Sequence, residues 1–365
     1  MKITRVSKGG ALGELQLARV AYWLVIIAAI TVGLIYFSAL VKPFFIALFL
    51  WYLIMELQNA LGRISIRGWR MPGWLSGVFS LVLIISVILS IGEIIQFNIQ
   101  QISEQVPFYQ QKLNRFYSDY SKLMQDSEIA AALLGWIRQI DLGALFSALL
   151  NSLTGMVGNF ALIIIYIVFL LIEGSVIEKK SEALFVDKKR SYRMLNSVFR
   201  QINSAFRRYL VVKTLISLGT AVLSYFVLRL YAIDFPVLWA FLIFLLNYIP
   251  YVGSLVATLL PSVFAWFQMG NVSTALWVFL SIQAIQTLMG NYLEPKVMGR
   301  SLNLSPLVVM LSLAFWGAIW GIVGMFLAVP IASIMLIVFS QFPATRAMAI
   351  VFSERGEITK EEFTD

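Results

Sequence analysis

Apolar positions along this chain gather into long unbroken runs, and the runs have the length of a bilayer. Five of them cover 18–41, 43–61, 74–95, 152–172 and 210–232, each close to the roughly 20 residues that cross a hydrocarbon core. Lys42-Pro43 predicts a tight turn between the first two. From 235 to 341 the chain is nearly all apolar, punctuated by Pro250, Gly253, Pro261, Gly270, Pro295, Pro306, Gly317, Gly321, Gly324 and Pro330. A span over 273–290 divides this region into two interrupted segments, 235–269 and 305–341. Each half is about 15 residues, short for a full crossing. The halves are either re-entrant elements or short complete spans, and charge parity separates neither. Interrupted apolar segments in corresponding positions point to a solute site near the bilayer midplane.

Two polar stretches carry stripes of helical period. Apolar residues recur at Ile95, Ile99, Ile102, Val106, Tyr109, Leu113, Phe116, Tyr120 and Leu123, alternating steps of four and three as a heptad does. Pro107 kinks or restarts that helix. Tyr192, Leu195, Phe199, Ile202, Phe206 and Tyr209 repeat the spacing. Each stripe needs a partner within the subunit, at the lipid interface or on another subunit. The expected fold is an all-α polytopic membrane protein with about eight transmembrane segments. Two of these are broken or re-entrant helical hairpins, and amphipathic helices lie on both sides. Its divisions are membrane helices over 1–95, extracytoplasmic helices over 96–151 and a span over 152–172. Basic cytoplasmic helices over 173–209, a transport core over 210–345 and a frayed tail over 346–365 complete it.

Composition supports the membrane reading: 60% of residues are hydrophobic and 13% charged, against about half and about a quarter in soluble domains. The first run is too long for the core of a signal peptide and reads as a retained span. With no cysteine and no histidine, thiol chemistry, Cys/His zinc sites and Ser-His-Asp triads are excluded. The net charge of +9 reflects loop residues that set orientation and implies no nucleic-acid partner. Lys2, Arg5, Lys8 and Arg19 precede or enter the first run, Arg63, Arg67 and Arg70 follow the second, and 173–209 holds nine basic against four acidic residues. Basic loops stay in the cytoplasm, which places both termini there and 96–151 outside. Tryptophans near the span ends (Trp23, Trp51, Trp69, Trp74, Trp136) fit an interfacial belt.

Ordered motifs fill the last 40% of the chain. Tyr209-Leu210-Val211-Val212-Lys213-Thr214 opens the fifth run, followed by Leu246-Asn247-Tyr248-Ile249-Pro250-Tyr251-Val252-Gly253-Ser254. Then come Gly290-Asn291-Tyr292-Leu293-Glu294-Pro295-Lys296-Val297-Met298-Gly299-Arg300, Leu304-Ser305-Pro306, Phe315-Trp316-Gly317, Gly321-Ile322-Val323-Gly324 and Val329-Pro330. Together they resemble the autoinducer-2 exporter family of bacterial membrane proteins, most of all its quorum-signal branch. The resemblance implies a multi-pass protein of the bacterial inner membrane with cytoplasmic termini. It implies a homo-oligomer, with a pentamer expected, and export or permeation of a small polar signal. Other members of that family are credited with sodium or lithium/proton antiport.

Polar groups in hydrocarbon are costly, so each one demands a reason. Asn247, beside the helix-breaking Pro250 and near Gly253, combines a side-chain amide with freed carbonyls. It is either a solute ligand or the cap of a structural kink. Gln283 and Gln286 stand three apart on one helix face, with Asn291 beyond them. Glu294 is either a proton or cation carrier or the partner of Lys296 or Arg300 in a rim salt bridge. Lys213 either faces the path or snorkels to the inner interface. Arg207 and Arg208 face either an anionic substrate or, in preference, lipid headgroups, Glu56 and Glu93 are expected as rim residues, and Arg229 is expected to pair with Asp234. Gly317 and Gly321 have the spacing that lets helices approach closely.

The sequence supports a transporter of a small neutral signal such as autoinducer-2 over two alternatives. A cation/proton antiporter needs a titratable carboxylate within the membrane, for which Glu294 and Glu56 are the candidates. An oligomeric channel or scaffold needs neither. No acid/base or nucleophile pair falls at working spacing, so no enzyme is expected. No phosphate-binding glycine loop is present, and no cofactor is expected. The partners are a small molecule or ion and the bilayer.

Overall fold

The structure is a computed structural model and describes residues 8–63, 65–66, 69–123, 160–174, 189–298 and 303–356. The expectations for 124–159, 175–188 and 357–365 lie outside the described residues.

Among the described residues the fold is all-α apart from a two-residue antiparallel pairing of Ser65–Ile66 with Trp69–Arg70 and a single antiparallel bridge between Leu304 and Ser353. In chain order the helices are α1 (Lys8–Tyr36), α2 (Ser38–Arg63), α3 (Gly73–Leu123), α4 (Phe160–Gly174), α5 (Lys189–Leu230), α6 (Pro236–Leu246) and α7 (Val252–Met269). There follow α8 (Val272–Gln286), a π-helical segment (Thr287–Leu293), α9 (Glu294–Met298), α10 (Pro306–Trp320), α11 (Ile322–Gln341) and α12 (Arg346–Phe352). Among the described residues, six helical stretches are long and apolar enough to cross a membrane: Ser38–Arg63, Gly73–Ile94, Asn196–Leu230, Val252–Met269, Val272–Met298 and Ile322–Gln341. Four shorter apolar stretches, Leu24–Tyr36, Phe160–Gly174, Pro236–Leu246 and Pro306–Trp320, accompany them. Leu24, Phe79, Phe169, Phe226 and Leu307 are all more than half or about half exposed, far more apolar surface than a soluble domain shows. These faces meet lipid tails.

The first turn falls at Phe37 and not at Lys42-Pro43. Phe37 donates its N–H to Gly33 O at 2.9 Å, and its own carbonyl accepts the N–H groups of Leu40 and Val41, each at 3.0 Å. The chain thus turns with its backbone satisfied, as hydrocarbon demands. Pro43 sits inside α2, where it removes one ladder hydrogen bond without ending the helix.

Two helices run through boundaries where the hydropathy changes. α3 holds 51 residues, about 75 Å at 1.5 Å per residue, so it projects well past the bilayer. It continues through Pro107. Beyond the span, Tyr109 is buried, with its Oη 2.7 Å from Asp234 Oδ2 and 2.7 Å from Gln105 Oε1. Its ring meets Phe264 of α7 edge-on at 5.1 Å. Burial first, then the hydrogen bond to Asp234 and that carboxylate's charge, push the Tyr109 phenol above its ordinary value. It therefore remains a donor, and the stabilisation it gives is present below the ordinary phenol range and lost as pH rises beyond it. Lys112 reaches the Gln268 carbonyl and lies over the Phe108 ring. Asp234 is thus held by Tyr109, not by Arg229, which is exposed. The chain turns sharply after α5, with Ala232 and Phe235 at positive φ, and this carries Asp234 off the helix face on which Arg229 lies.

The two interrupted segments are helix–break–helix units. α6 stops at Leu246 and α7 begins at Val252, with Tyr251 at φ 59° between them. α10 and α11 meet at Gly321, φ 66°. Each unit depends on one glycine just after the break. A Cβ on Gly253 would lie 1.8 Å from the Leu246 carbonyl oxygen, and one on Gly324 would lie 1.8 Å from that of Trp316. The expected frayed tail is instead built in as far as residue 356. α12 packs on α11, Ala349 is fully buried, and Ser305 N–H donates to Phe352 O at 2.8 Å. Ala349 and Phe352 supply the packed contact that a merely charged tail lacks, with the Phe352 ring edge-on to Phe339 at 5.6 Å.

Gly253→Ala and Gly324→Ala are each expected to cost ~3 kcal/mol or more, because backbone must move to admit a methyl group. Gly33→Ala, where a Cβ meets nothing within 4 Å, is the matched control. Thermal unfolding of the purified variants in one detergent checks this, and equal midpoints for all three would refute the close-approach argument.

Candidate functional site

The site is built on one face of α5. The apolar stripe that ends at Phe206 and Tyr209 continues along the same face as Lys213, Ser217, Thr220 and Ser224, then returns to apolar at Leu228. Lys213 is 5% exposed, and Ser217, Thr220 and Ser224 are fully buried. Four polar side chains thus form a seam inside the protein, on a helix that crosses hydrocarbon. Phe206 and Tyr209 are buried, as the stripe demands, whereas Phe199 is exposed.

The α6–α7 break meets this seam. Asn247 is buried, and its Nδ2 donates to Thr220 Oγ1 over a long 3.4 Å. Tyr248 Oη lies 2.7 Å from Thr214 Oγ1. Its ring packs against Phe244, Phe49 of α2 and Phe326 of α11, with centroids at 5.6, 5.6 and 4.6 Å. Backbone N–H groups at the break bond backwards, Tyr248 to Leu245, Ile249 to Leu246 and Gly253 to Ile249. No described donor reaches the carbonyls of Asn247 and Tyr248. The freed carbonyls expected beside Pro250 are present, in protein rather than in lipid, the condition under which a membrane tolerates them.

At the basic end of the seam, Lys213 Nζ donates to both carboxylate oxygens of Glu294, at 2.7 and 2.8 Å. The two side chains are 7% and 17% exposed. The Lys296 alternative for Glu294 is not realised, since Lys296 lies over the Tyr292 ring instead, and Arg300 lies outside the described residues. Lys213 does not snorkel: it is buried, and its ammonium is held by the partner carboxylate. A second ion pair joins Arg207 to Glu56 of α2. Glu294 is positioned by the π-helical segment, which widens the helix by one residue per turn and closes with the Glu294 N–H on Met289 O. π segments recur at functional positions. Its Met289 fills the space above Gly219 of α5, where an added Cβ would sit 2.6 Å from the methionine methyl.

The remaining expected residues divide. Gln286 is 4% exposed, and neither its Nε2 nor its Oε1 has a described partner. Gln283 and Pro250 are half-buried, Gly253 is buried, and Asn291 is exposed. Tyr209 Oη, Ser217 Oγ and Ser224 Oγ are also buried without a described partner. Sequence reasoning stopped at Lys213 and so passed over Ser217, Thr220 and Ser224. Carrying the same four-three spacing onward would have found them. An open cleft lies between α5 and α11, lined by Ile202, Phe206, Tyr209, Pro330, Ser333 and Ile337. It is nearly all apolar and borders the aromatic end of the stripe, not Asn247. Among the described residues, no group of three or more acidic side chains gathers as a metal site.

Removing one member of the buried pair strands the other charge, which costs about 3–5 kcal/mol, whereas replacing both with apolar groups is close to neutral. Lys213→Met is therefore expected to lower the unfolding midpoint markedly, and Lys213→Met with Glu294→Leu to recover most of it. A double variant no more stable than the single one would refute the stranded-charge account.

The comparisons with known proteins agree with this architecture. The family model described as "AI-2E family transporter" matches residues 24–344. A relative from Haemophilus influenzae is 28% identical over 93% of this chain and 98% of its own length. One from Borreliella burgdorferi is 29% identical over 87% of this chain and 86% of its own. The AI-2 transport protein TqsA of Escherichia coli is 28% identical over 92% and 96%. With the match extending over nearly all the described helices, the chain is a multi-pass membrane protein of the AI-2E transporter family.

Proposed function

We propose that this transporter carries a small, uncharged, polar signal of the autoinducer-2 kind across the bacterial inner membrane, along the α5 seam. The single observation that carries this reading is the buried Asn247 at a helix break, facing Thr220 beside two unclaimed carbonyls. Neutral donors and acceptors in a sparsely charged path suit an uncharged solute. The relative named as an AI-2 transport protein supports the same class of cargo. The basic stretches place α5's Lys213 end toward the cytoplasm. The pair of Lys213 and Glu294 then closes the cytoplasmic end of the seam. The Leu228, Leu238, Trp239, Phe264 and Ile282 cluster closes the opposite end.

One observation favours a second reading. Glu294 is a mostly enclosed carboxylate bonded to a lysine, and cation/proton antiport needs such a group within the membrane. Proteoliposomes loaded with autoinducer-2, run beside vesicles holding a pH dye and a sodium gradient, separate the two. The neutral-solute reading expects autoinducer-2 efflux that falls at least tenfold in Asn247→Ala and persists in Glu294→Gln. Sodium-dependent proton movement that vanishes in Glu294→Gln, with no autoinducer-2 efflux, would establish antiport in its place.

A further inference from the structure

Most buried hydroxyls on these helices are satisfied in one way. Ser80, Thr220, Thr258, Ser262 and Ser333 each donate to the carbonyl four residues back, at 2.7 to 3.0 Å. Ser217 and Ser224 do not, although each is fully buried on a helix that offers such a carbonyl. Gln286, 4% exposed, leaves both ends of its amide without a described partner. Folded proteins leave few buried polar groups unpaired, and each exception calls for a reason.

The register between their helices places these exceptions on adjoining turns. α5 and α8 with its π extension pack antiparallel, in a register fixed by Lys213 against Glu294 and Gly219 against Met289. That register sets Gln286 level with Thr220 and Ser224, one turn or two from Ser217. We propose that Gln286, Ser217 and Ser224 form a binding site for an uncharged solute bearing several hydroxyl groups. The proposal rests on the transport reading above and names the chemistry its path recognises.

The class follows from the donors and acceptors. An amide and two hydroxyls each donate and accept, which matches the dual character of a hydroxyl group. A bare cation would use the oxygens and leave the amide N–H groups unpaired, and an anion would use the donors and leave the amide oxygen unpaired. The lysine and carboxylate at the end of the seam neutralise one another, so they leave no net charge to draw an ion. Ser217 and Ser224 are seven residues apart, about 10 Å along the axis. That length suits a molecule of five or six carbons.

Binding is read with the full-length protein in detergent, by the shift in unfolding temperature with autoinducer-2, ribose and glycerol as uncharged probes and with lactate and sodium as charged ones. At least one uncharged probe is expected to raise the wild-type midpoint, and neither charged probe to do so. Gln286→Leu is expected to raise the midpoint of the ligand-free protein, since it removes an unpaired buried amide, yet to weaken the apparent affinity at least tenfold. Ser217→Ala with Ser224→Ala should act in the same direction. A Gln286→Leu protein that is less stable without ligand, or that binds as wild type does, overturns the proposal. So does a wild type that no uncharged probe stabilises. Autoinducer-2 flux that survives Gln286→Leu unchanged sinks this site and leaves the transport reading intact. Gln286-dependent ribose binding with no autoinducer-2 flux in the wild type does the reverse.

Discussion

Hydrocarbon offers no hydrogen bonds, and that one constraint organises the whole molecule. A backbone interruption survives at membrane depth only where protein covers it. Between α6 and α7 the cover is Tyr248, clasped by Phe49, Phe244 and Phe326. Between α10 and α11 it is the close seating of Gly324 under the Trp316 carbonyl, with Trp320 nearby donating its indole N–H to Leu34 O of α1 at 3.1 Å. Both breaks therefore lie in protein, and Gly253 and Gly324 are required by close contact, not by a positive φ. The same constraint explains why the polar seam of α5 faces inward while Leu215, Leu218, Val222 and Phe226 of that helix stay exposed.

The ion pair of Lys213 and Glu294 is the costliest feature of this arrangement. Desolvating two charges in a protein interior is offset only when the geometry is good, and two bonds of 2.7 and 2.8 Å meet that condition. The pair also fixes how α5 and the last third of the chain sit against one another. The π segment brings Glu294 to that position, and Gly219 makes room for Met289 alongside. A strictly α-helical run from Val272 to Met298 would turn Glu294 to a different azimuth. The widened turns and the ion pair are thus one device, with the helical irregularity serving the electrostatic contact.

Much of this fold was legible in the sequence because bilayer thickness dictates run length. The apolar runs, the two interruptions and the buried part of the Phe206–Tyr209 stripe follow from hydropathy and period. Where the chain bends was less legible. Lys42-Pro43 has the local chemistry of a turn, yet the chain turns at Phe37, where helix packing and a satisfied backbone outweigh residue preference. α3 and α5 likewise ignore the polarity change at their membrane boundaries, since a helix already nucleated extends cheaply into water. Pairings between distant elements were the least legible. The sequence offers Glu294 the adjacent Lys296 and Arg300 as partners, and only the fold reveals Lys213, 81 residues away. Asn247, Gln286 and Glu294 were visible as polar residues in greasy surroundings, but nothing local reports that the first meets Thr220 and the last meets a lysine.

The distribution of polarity along α5 has a consequence for the crossing proposed above. From Lys213 to Ser224 the inward face is polar for 11 residues, about 16 Å, or half a hydrocarbon core. Beyond it the face is Leu228, packed among Leu238, Phe264, Val278 and Ile282. A solute lodged in the polar half has satisfied partners there and none ahead. Passage therefore requires the apolar half to separate, not the solute to dissolve in it, because a polyol moved into a dry cluster forfeits every hydrogen bond at once. α6 and α7 are the elements best placed to move. They are joined through a strained Tyr251 at positive φ, and they carry Asn247 at one end and much of the apolar cluster along their length. The contacts that restrain them from beyond the membrane are those of α3, through Tyr109 on Asp234 and Lys112 on Gln268. The long arm of α3 is thereby tied to the apolar half of the proposed path, and the two closures of that path lie on different elements.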